Sequence, residues 1–313
     1  MTVLVRLLVL AVLCAPAAAL AWSMGGHRVT GVMAARDLAA RSPQTITAIE
    51  TLMQAHPAAA VIALRVDEAG ADPRARSERL FAEMAQWPDE VRSGPFRQYH
   101  RADWHTIGLP YVLPDFTAEP RAPNADNLQW ALAENLRIAA DPSAAAADRA
   151  VALCWIFHLL GDLHQPLHTI SLFSAVFPEG DRYGSRFFVR PPAGDEAVSL
   201  HYFWDSSVIR SQKMADVLPA ATHLAQTHPR TTLAEIDLRP FAGSASFKRW
   251  IDEESHPLAI AAAYREGRLA GAAERRAAPP LPADYAAGVH ALGTRRTALA
   301  AYRLADLLQA VLR

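Results

Sequence analysis

Apolar residues recur every three or four positions along most of the chain, which is the spacing of one face of an α-helix. Alternating patterns typical of strands are rare, and FFVRPP (187–192) is the main exception. Proline-containing breaks at 141–143 and 279–282 separate the periodic stretches, and the alanine-rich stretch 257–278 is expected to be helix with a possible loop. The pattern predicts one mainly helical, all-α domain with a small β-hairpin in the 170–200 loop. The clearest helical stretches are residues 27–42, 77–87, 127–140, 149–163 and 297–312.

The first 21 residues follow a different pattern. MTVLVRLLVLAVLCAPAAALA has one early basic residue (Arg6), a continuous apolar core and a small-x-small ending at 19–21. Signal peptides share these features, and the apolar run is short for a helix that spans a bilayer. We therefore expect cleavage between Ala21 and Trp22. Residues 22–313 would then form one exported domain, periplasmic or extracellular, with no membrane anchor.

Charge and cysteine content restrict what this domain can be. The chain has 31 Lys and Arg against 32 Asp and Glu, a formal net charge of −1. This excludes a nucleic-acid binder that relies on overall positive charge, so a phosphate-bearing substrate would need a local site. Cys14 lies in the predicted signal peptide, which leaves Cys154 without a partner for an intramolecular disulfide. The exported fold must therefore be stabilised by its core or by metal ions.

Polar residues interrupt an apolar helix in the segment HLLGDLHQPLH, residues 158–168. His158 and Asp162 are four positions apart, so they lie on the same face of a helix and can bind one ion. Pro166 cannot continue the helix, so His168 lies beyond a bend and can face a neighbouring ion. The carboxylate of Asp162 would be costly to bury without such partners.

A second segment, SLHYFWDSS, repeats the spacing with His201 and Asp205. A single histidine on an apolar helix is more often a hydrogen-bonded core residue than a ligand, but two such pairs together favour a cation site. Imidazole and carboxylate are ligands that suit zinc. The lack of cysteine ligands favours an open catalytic site over a closed structural one, and no H-E-x-x-H motif of a zinc protease is present.

The predicted new N-terminus, WSMGGH, adds further ligand groups. A free α-amino group on Trp22 could bind a metal ion, and Gly25 and Gly26 permit a tight turn that could bring His27 beside it. More polar residues stand in two short segments, QWPDEVRS and ADWHTIGLP: Asp89, Arg92 and His105.

Together these segments resemble the zinc-dependent single-strand-specific nucleases, the type I nucleases of fungi, plants and bacteria. Their fold is similar to that of bacterial zinc phospholipase C. The resemblance covers essentially all of residues 22–313. Its motifs are the N-terminal tryptophan followed by G-H (22–27), W-x-D-x-x-R (87–92), W-H (104–105), H-x-x-G-D-x-H-Q-P-L-H (158–168) and L-H-x-x-W-D (200–205).

The resemblance implies three Zn²⁺ ions. The first would be bound by Asp89, His105, His158 and Asp162. The second would be bound by the amino and carbonyl groups of Trp22, by His27 and by a shared oxygen of Asp162. The third would be bound by His168, His201 and Asp205. The residues implied in catalysis are Asp89, Arg92 and Asp162, and His164 is left over as a packing residue.

The implied function is a secreted or periplasmic zinc-dependent phosphodiesterase, acting as a monomer. It would hydrolyse single-stranded RNA or DNA to 5′-mononucleotides, with 3′-nucleotidase activity. Candidate substrate contacts are Arg92, Tyr183 and Tyr202.

Two departures from the family pattern leave the substrate open. Tyr183-Gly184-Ser185 stands where the family often has G-G-N, and Ser199 stands where it often has asparagine before L-H. One alternative is a phospholipase C-like hydrolase of phospholipid headgroups. Another is a catalytically silent protein that only holds metal ions.

Overall fold

The computed structural model describes residues 22–192, 194 and 196–312. The predicted signal peptide lies outside the described residues, so that prediction stays open. In the described part, no helix is long and apolar enough to cross a membrane. Its α-helices are α1 (Met24–Arg41), α2 (Pro43–Met53), α3 (Ala59–Asp67), α4 (Pro73–Glu90), α5 (Leu128–Ala140), α6 (Ala146–His164), α7 (Leu200–Asp205), α8 (Met214–Thr227), α9 (Ala234–Leu238), α10 (Ala245–Trp250), α11 (His256–Leu258) and α12 (Tyr285–Val311).

Two short pairs of strands accompany the helices. β1 (Leu109–Val112) pairs in parallel with β2 (Ile170–Phe173), and β3 (Phe188–Val189) pairs antiparallel with β4 (Val198–Ser199). The second pair is the small hairpin predicted in the 170–200 loop, and the mainly helical fold is confirmed. The first pair was not predicted, because every residue of β2 is buried and the strand shows no alternation.

The five clearest helical stretches fall within α1, α4, α5, α6 and α12, apart from a residue at the edges. The alanine-rich stretch 257–278 contains the expected helix and also the loop that was allowed for. Its helical part ends at Ala263, because Arg265 and Glu266 adopt left-handed φ angles of 48° and 56°. Such angles cannot be part of a right-handed helix, so the chain turns there.

Helix α6 lies at the centre of the fold, where it packs against α4, α5 and α12. Every residue from Ala152 to His164 is buried, so this helix has no solvent face. A helix that is buried all round is normally apolar all round. The polar residues of α6 therefore require partners inside the protein.

His164 has such partners away from the other histidines. Its Nδ1–H donates to the Leu160 carbonyl (2.8 Å), and its Nε2 accepts from Arg303 (3.0 Å). Glu254 forms ion pairs with Arg303 and with the adjacent Arg296, each with a nitrogen–oxygen distance of 2.6 Å. Burial, together with the two guanidinium groups, holds the pKa of His164 well below its ordinary value. His164 thus joins α6 to α12, in line with the packing role expected for it.

Candidate metal centre

Eight polar side chains from separate elements meet in the interior of the molecule. They come from α1, the end of α4, the 3₁₀ turn Ala102–His105, α6, the 3₁₀ turn Pro166–Thr169 and α7. Each is at most 6 % exposed. The bend predicted at Pro166 is present, because α6 ends at His164 and the turn follows. The eight residues, which we call the His/Asp cluster, are His27, Asp89, His105, His158, Asp162, His168, His201 and Asp205.

Asp162 lies in the middle of the cluster. Its Oδ1 is 3.3 Å from His27 Nε2 and 3.6 Å from His168 Nδ1. Its Oδ2 is 3.1 Å from His105 Nδ1 and 3.3 Å from His158 Nε2. The two oxygens thus face different histidines, which is the arrangement a carboxylate needs to bridge two cations.

The cluster extends on one side to Asp205. His201 Nε2 lies 3.2 Å from Asp205 Oδ2, and His168 Nε2 lies 3.8 Å from Asp205 Oδ1. The amide of Gln165 donates to Asp205 Oδ1 at 2.7 Å and so orients this carboxylate. Sequence reasoning assigned no role to Gln165, although its position inside the HQPLH segment was a usable signal.

The cluster also extends to Asp89, which pairs with Arg92. His158 Nε2 lies 3.8 Å from Asp89 Oδ1 and 3.0 Å from His105 Nδ1. Arg92 Nη2 donates to Asp89 Oδ1 at 2.5 Å, and its side chain is 20 % exposed. A guanidinium group therefore stands at the rim of the cluster, in contact with both a buried carboxylate and solvent.

Three groups within the described residues bring ligand atoms to within 4.8 Å of one another. The group at Asp205 is the set predicted for the third ion. The other two groups share His158, whereas the prediction placed His158 with only one ion. An imidazole nitrogen binds a single cation, so His158 can serve only one of these groups at a time. The groups are His27–His158–Asp162, Asp89–His105–His158 and His168–His201–Asp205.

Trp22 is fully buried beside the cluster. Its indole N–H donates to the Gly161 carbonyl at 2.9 Å, and the next residue's N–H donates to the Asp205 carbonyl at 3.0 Å. Gly161 allows this close approach, because a Cβ there would lie 2.9 Å from His27 Nδ1. Trp22 and His27 are thus held against α6 next to Asp162.

The tight turn expected at Gly25 and Gly26 is absent, because both residues belong to the first turn of α1. A Cβ on Gly25 would lie 2.2 Å from the Ser211 carbonyl oxygen, and one on Gly26 would lie 3.1 Å from Trp22 Cβ. These glycines therefore permit close packing of α1, and the helix itself places His27 beside Trp22.

The tautomers of three cluster histidines follow from their backbone contacts. The Nδ1 atoms of His158, His168 and His201 lie 2.7–2.8 Å from the carbonyl oxygens of residues 85, 105 and 183. A carbonyl can only accept, so each Nδ1 carries a proton and Nε2 is the ring nitrogen that remains to bind a cation. Metal-binding histidines are typically oriented by this kind of bond.

Several buried nitrogen and oxygen atoms of the cluster residues have no hydrogen-bond partner. A buried polar atom without a partner costs about 1–3 kcal/mol, so a group of them requires an explanation. All of these atoms can act as ligands for a cation, so the cluster fits metal ions. They are both ring nitrogens of His27, Asp89 Oδ2, His105 Nε2, Asp162 Oδ1, His168 Nε2 and Asp205 Oδ2.

Protonation in the cluster also fits metal ligands. Despite the burial, the charge of Asp162 raises the pKa of His158 and His168. Burial would raise the pKa of Asp162, but the positive charges of His158 and His168 hold it well below its usual range. The carboxylate thus stays ionised and attracts positive charge. Burial lowers the pKa of the remaining imidazoles, so that they are neutral as metal ligands must be: His27, His105 (to about 4) and His201.

The altered loop at 183–185 contacts the cluster through its backbone. The Tyr183 carbonyl accepts from His201 Nδ1, and the Gly184 carbonyl accepts from the His201 N–H at 3.2 Å. Ser199 caps α7, where its Oγ accepts from the Tyr202 N–H at 3.2 Å. Because the loop contributes carbonyl groups, its side chains can depart from the family pattern without disturbing His201.

The candidate substrate residues lie around the cluster. The Tyr183 side chain lines a polar cavity together with Arg182 and Arg186. Its ring packs over Gly108, where a Cβ would lie 2.6 Å from the ring. Tyr202 follows His201 on α7 and is 47 % exposed. The Tyr183 ring thus faces this cavity, and the Tyr202 side chain is open to solvent.

Comparison with known proteins identifies the family. A family model described as S1/P1 Nuclease matches residues 22–313. The match begins at Trp22, the predicted first residue of the mature chain. No curated protein matches the chain significantly. Metal dependence is a property of this family, and the His/Asp cluster provides groups that could bind metal ions. The chain belongs to the S1/P1 nuclease family and is a nuclease, a hydrolase of the phosphoester bonds of nucleic acids.

Proposed function

We propose that this protein is an exported zinc-dependent nuclease that hydrolyses single-stranded RNA or DNA to 5′-mononucleotides, with 3′-nucleotidase activity. The main support is the His/Asp cluster, in which buried ligand atoms without hydrogen-bond partners converge around Asp162. The family match over residues 22–313 supports the same reaction class.

Zinc is the ion that these ligands suit best, because they combine imidazole and carboxylate groups and include no thiolate. When bound, zinc would activate water and neutralise charge on a phosphodiester. We assign three ions to the predicted sets. They are Asp89, His105, His158 and Asp162; the amino and carbonyl groups of Trp22 with His27 and Asp162; and His168, His201 and Asp205.

The chain's own groups would hold the reacting phosphate in place. Arg92 can donate to a phosphoryl oxygen while Asp89 fixes its guanidinium group. The carbonyl contacts of His158, His168 and His201 fix the imidazoles before substrate binds, so little reorganisation is needed in the reaction. Tyr183 and Tyr202 are candidates for stacking against an unpaired base, which a single strand exposes and a duplex does not.

The start of the mature chain at Trp22 is part of this proposal. Trp22 is buried beside His27 and Asp162, so a free α-amino group there would lie near the cluster. We propose that residues 1–21 are a signal peptide and that residues 22–313 form one monomeric nuclease domain, periplasmic or extracellular. The family match that begins at Trp22 supports this boundary.

The alternative substrate, a phospholipid headgroup, is less well supported. The cavity beside the cluster is lined by Arg121, Arg182 and Arg186. A quaternary ammonium headgroup is normally recognised by aromatic faces, and three guanidinium groups would repel it. The lining favours an anionic polymer over phosphatidylcholine.

The test is the acid-soluble nucleotide released from heat-denatured DNA and from the same DNA as a duplex. The protein should begin at Trp22 and be loaded with zinc. We expect rapid release from denatured DNA, at least about tenfold slower release from duplex, and no hydrolysis of phosphatidylcholine vesicles. A protein that begins at Ala21 is the control, because its Trp22 nitrogen is in a peptide bond and its rate should fall. Hydrolysis of phosphatidylcholine without release of nucleotide would contradict the proposal.

A further inference from the structure

A polar cavity of about 420 Å³ opens beside the His/Asp cluster. Part of its wall is formed by Gly108 and by the ring of Tyr183. The rest includes three arginines from two segments of the chain, Arg121, Arg182 and Arg186. No catalytic or metal-binding role described above uses these arginines.

The cavity is built on the same segments that position the cluster. The N–H of Ile107, which lines the cavity, donates to the His168 carbonyl at 2.8 Å. The Tyr183 carbonyl on another wall accepts from His201 Nδ1 at 2.7 Å. The backbones of Ile107 and Tyr183 thus join the cavity to the cluster.

The lining carries a surplus of positive charge. Across the described residues, Arg121, Arg182 and Arg186 form no ion pair, whereas many arginines elsewhere are paired at 2.5–3.0 Å. The carboxylates in the lining are Asp103 and Glu179, and Asp103 already accepts a hydrogen bond from an asparagine amide at 3.1 Å. The exposed guanidinium groups are thus available to an anion.

The loop that carries two of these arginines is held in an unfavourable conformation. Arg182 and Tyr183 have left-handed φ angles of 51° and 62°, which cost free energy in residues other than glycine. The buried Asp181 fixes the loop, because its carboxylate accepts from the Tyr264 hydroxyl (2.6 Å) and from the Leu172 N–H (2.9 Å). The protein thus maintains a costly backbone geometry at the point where the two arginines face the cavity.

We propose that this cavity binds a phosphate of the substrate strand next to the scissile phosphate, through Arg182 and Arg186 with Arg121 opposite. This rests on the proposed nuclease function. Arginine suits the task because its planar guanidinium group can donate two parallel hydrogen bonds to one phosphate. Such a contact positions the strand without reading its sequence. It also favours polynucleotides over substrates with a single phosphate.

The test measures kcat/KM of the double variant Arg182→Ala/Arg186→Ala on two substrates. A single-stranded oligonucleotide has phosphates on both sides of each cleavage point, whereas a dinucleoside monophosphate has only the scissile one. We expect kcat/KM to fall about tenfold on the oligonucleotide and by less than about twofold on the dinucleoside monophosphate. The dependence of log kcat/KM on log salt concentration should also flatten by about 0.7 for the oligonucleotide.

A matched control removes the same charge from surfaces outside the cavity. Arg137→Ala/Arg276→Ala deletes two exposed arginines, whose side chains are 63 % and 85 % exposed, and should leave both substrates and the salt dependence nearly unchanged. Equal losses on both substrates in the cavity variant would mean that the loop acts through His201, and this would overturn the inference. No loss on either substrate would overturn it as well.

A binding measurement separates this inference from the nuclease proposal. Fluorescence anisotropy of a labelled single-stranded oligonucleotide should show tight binding by Asp162→Asn protein, which is expected not to cleave it, and about tenfold weaker binding by the same protein with the cavity substitutions; cleavage is read separately with the zinc-loaded wild-type protein. Binding that depends on the arginines without any cleavage would contradict the nuclease proposal and keep the cavity assignment. Cleavage together with equal binding by both proteins would contradict the cavity assignment and keep the nuclease proposal.

Discussion

Replacing Asp162 with asparagine should abolish nuclease activity, with a loss of about a thousandfold or more in kcat. Asp162 is fully buried, and four cluster histidines lie within 3.6 Å of its oxygens. An amide keeps the shape but loses the charge and one acceptor, so it cannot bridge two cations. A bound metal supplies several kcal/mol of transition-state stabilisation, and each ~1.4 kcal/mol changes a rate about tenfold. Release of acid-soluble nucleotide from denatured DNA measures the effect.

Glu78→Gln is the matched control for this substitution. Glu78 is also buried, at 6 % exposure, but its carboxylate pairs with Arg36 and Arg74 and with no residue of the cluster or of the cavity at Tyr183. This variant should retain most of the wild-type rate. An Asp162→Asn protein with wild-type turnover would show that the cluster is not the catalytic centre.

Removal of the bound metal should lower the melting temperature by about 6 °C or more, together with the loss of activity. Without cations, the carboxylates of Asp89, Asp162 and Asp205 remain buried beside nitrogen and oxygen atoms that have no hydrogen-bond partners. Breaking a buried ionic contact in this way costs about 3–5 kcal/mol, and each kcal/mol shifts the melting temperature of a domain of 150–250 residues by about 2–4 °C. No disulfide among the described residues offsets the loss, because Cys154 is the only cysteine in that part of the chain and its thiol is free.

Calorimetry before and after chelation is the appropriate measurement, with metal content checked by mass spectrometry. Added Zn²⁺ should restore both the melting temperature and the activity, whereas Mg²⁺, which prefers oxygen ligands and retains its water, should not. An unchanged melting temperature in protein shown to be metal-free would contradict a metal-stabilised fold.

The local part of the site could be predicted from sequence because helical spacing fixes it. His158 and Asp162 lie one turn apart on α6, and His201 and Asp205 lie one turn apart on α7. In each pair, Nε2 of the histidine lies 3.2–3.3 Å from a carboxylate oxygen of the aspartate. In a regular helix, the number of residues between two positions determines how the two side chains lie relative to each other.

The long-range part depended on family resemblance, because spacing along the chain carries no information about it. His105 reaches Asp162 only because the segment after it bonds to the His168 carbonyl and continues into the parallel pair of β1 and β2. That pairing joins residues about sixty positions apart, with no alternation in β2 to reveal it. Local patterns could not have predicted this contact.

Some residues were misread or missed because their roles depend on neighbours from distant parts of the chain. Gly25 indicated a turn, but it belongs to a helix whose backbone approaches the Ser211 carbonyl. Gln165 orients Asp205 from forty positions away, and Arg182 and Arg186 gain significance only from the cavity that they line. Packing between segments determines such roles, and a single sequence does not encode it in any local pattern.

The central claim is that the His/Asp cluster binds the zinc ions of a nuclease. The most direct measurement is anomalous X-ray scattering at the zinc edge from crystals of the protein beginning at Trp22. We predict three anomalous peaks inside the cluster, one within bonding distance of His168, His201 and Asp205 and two on opposite sides of Asp162. A zinc-loaded crystal with no peak in the cluster, or with peaks only on the protein surface, would contradict this account.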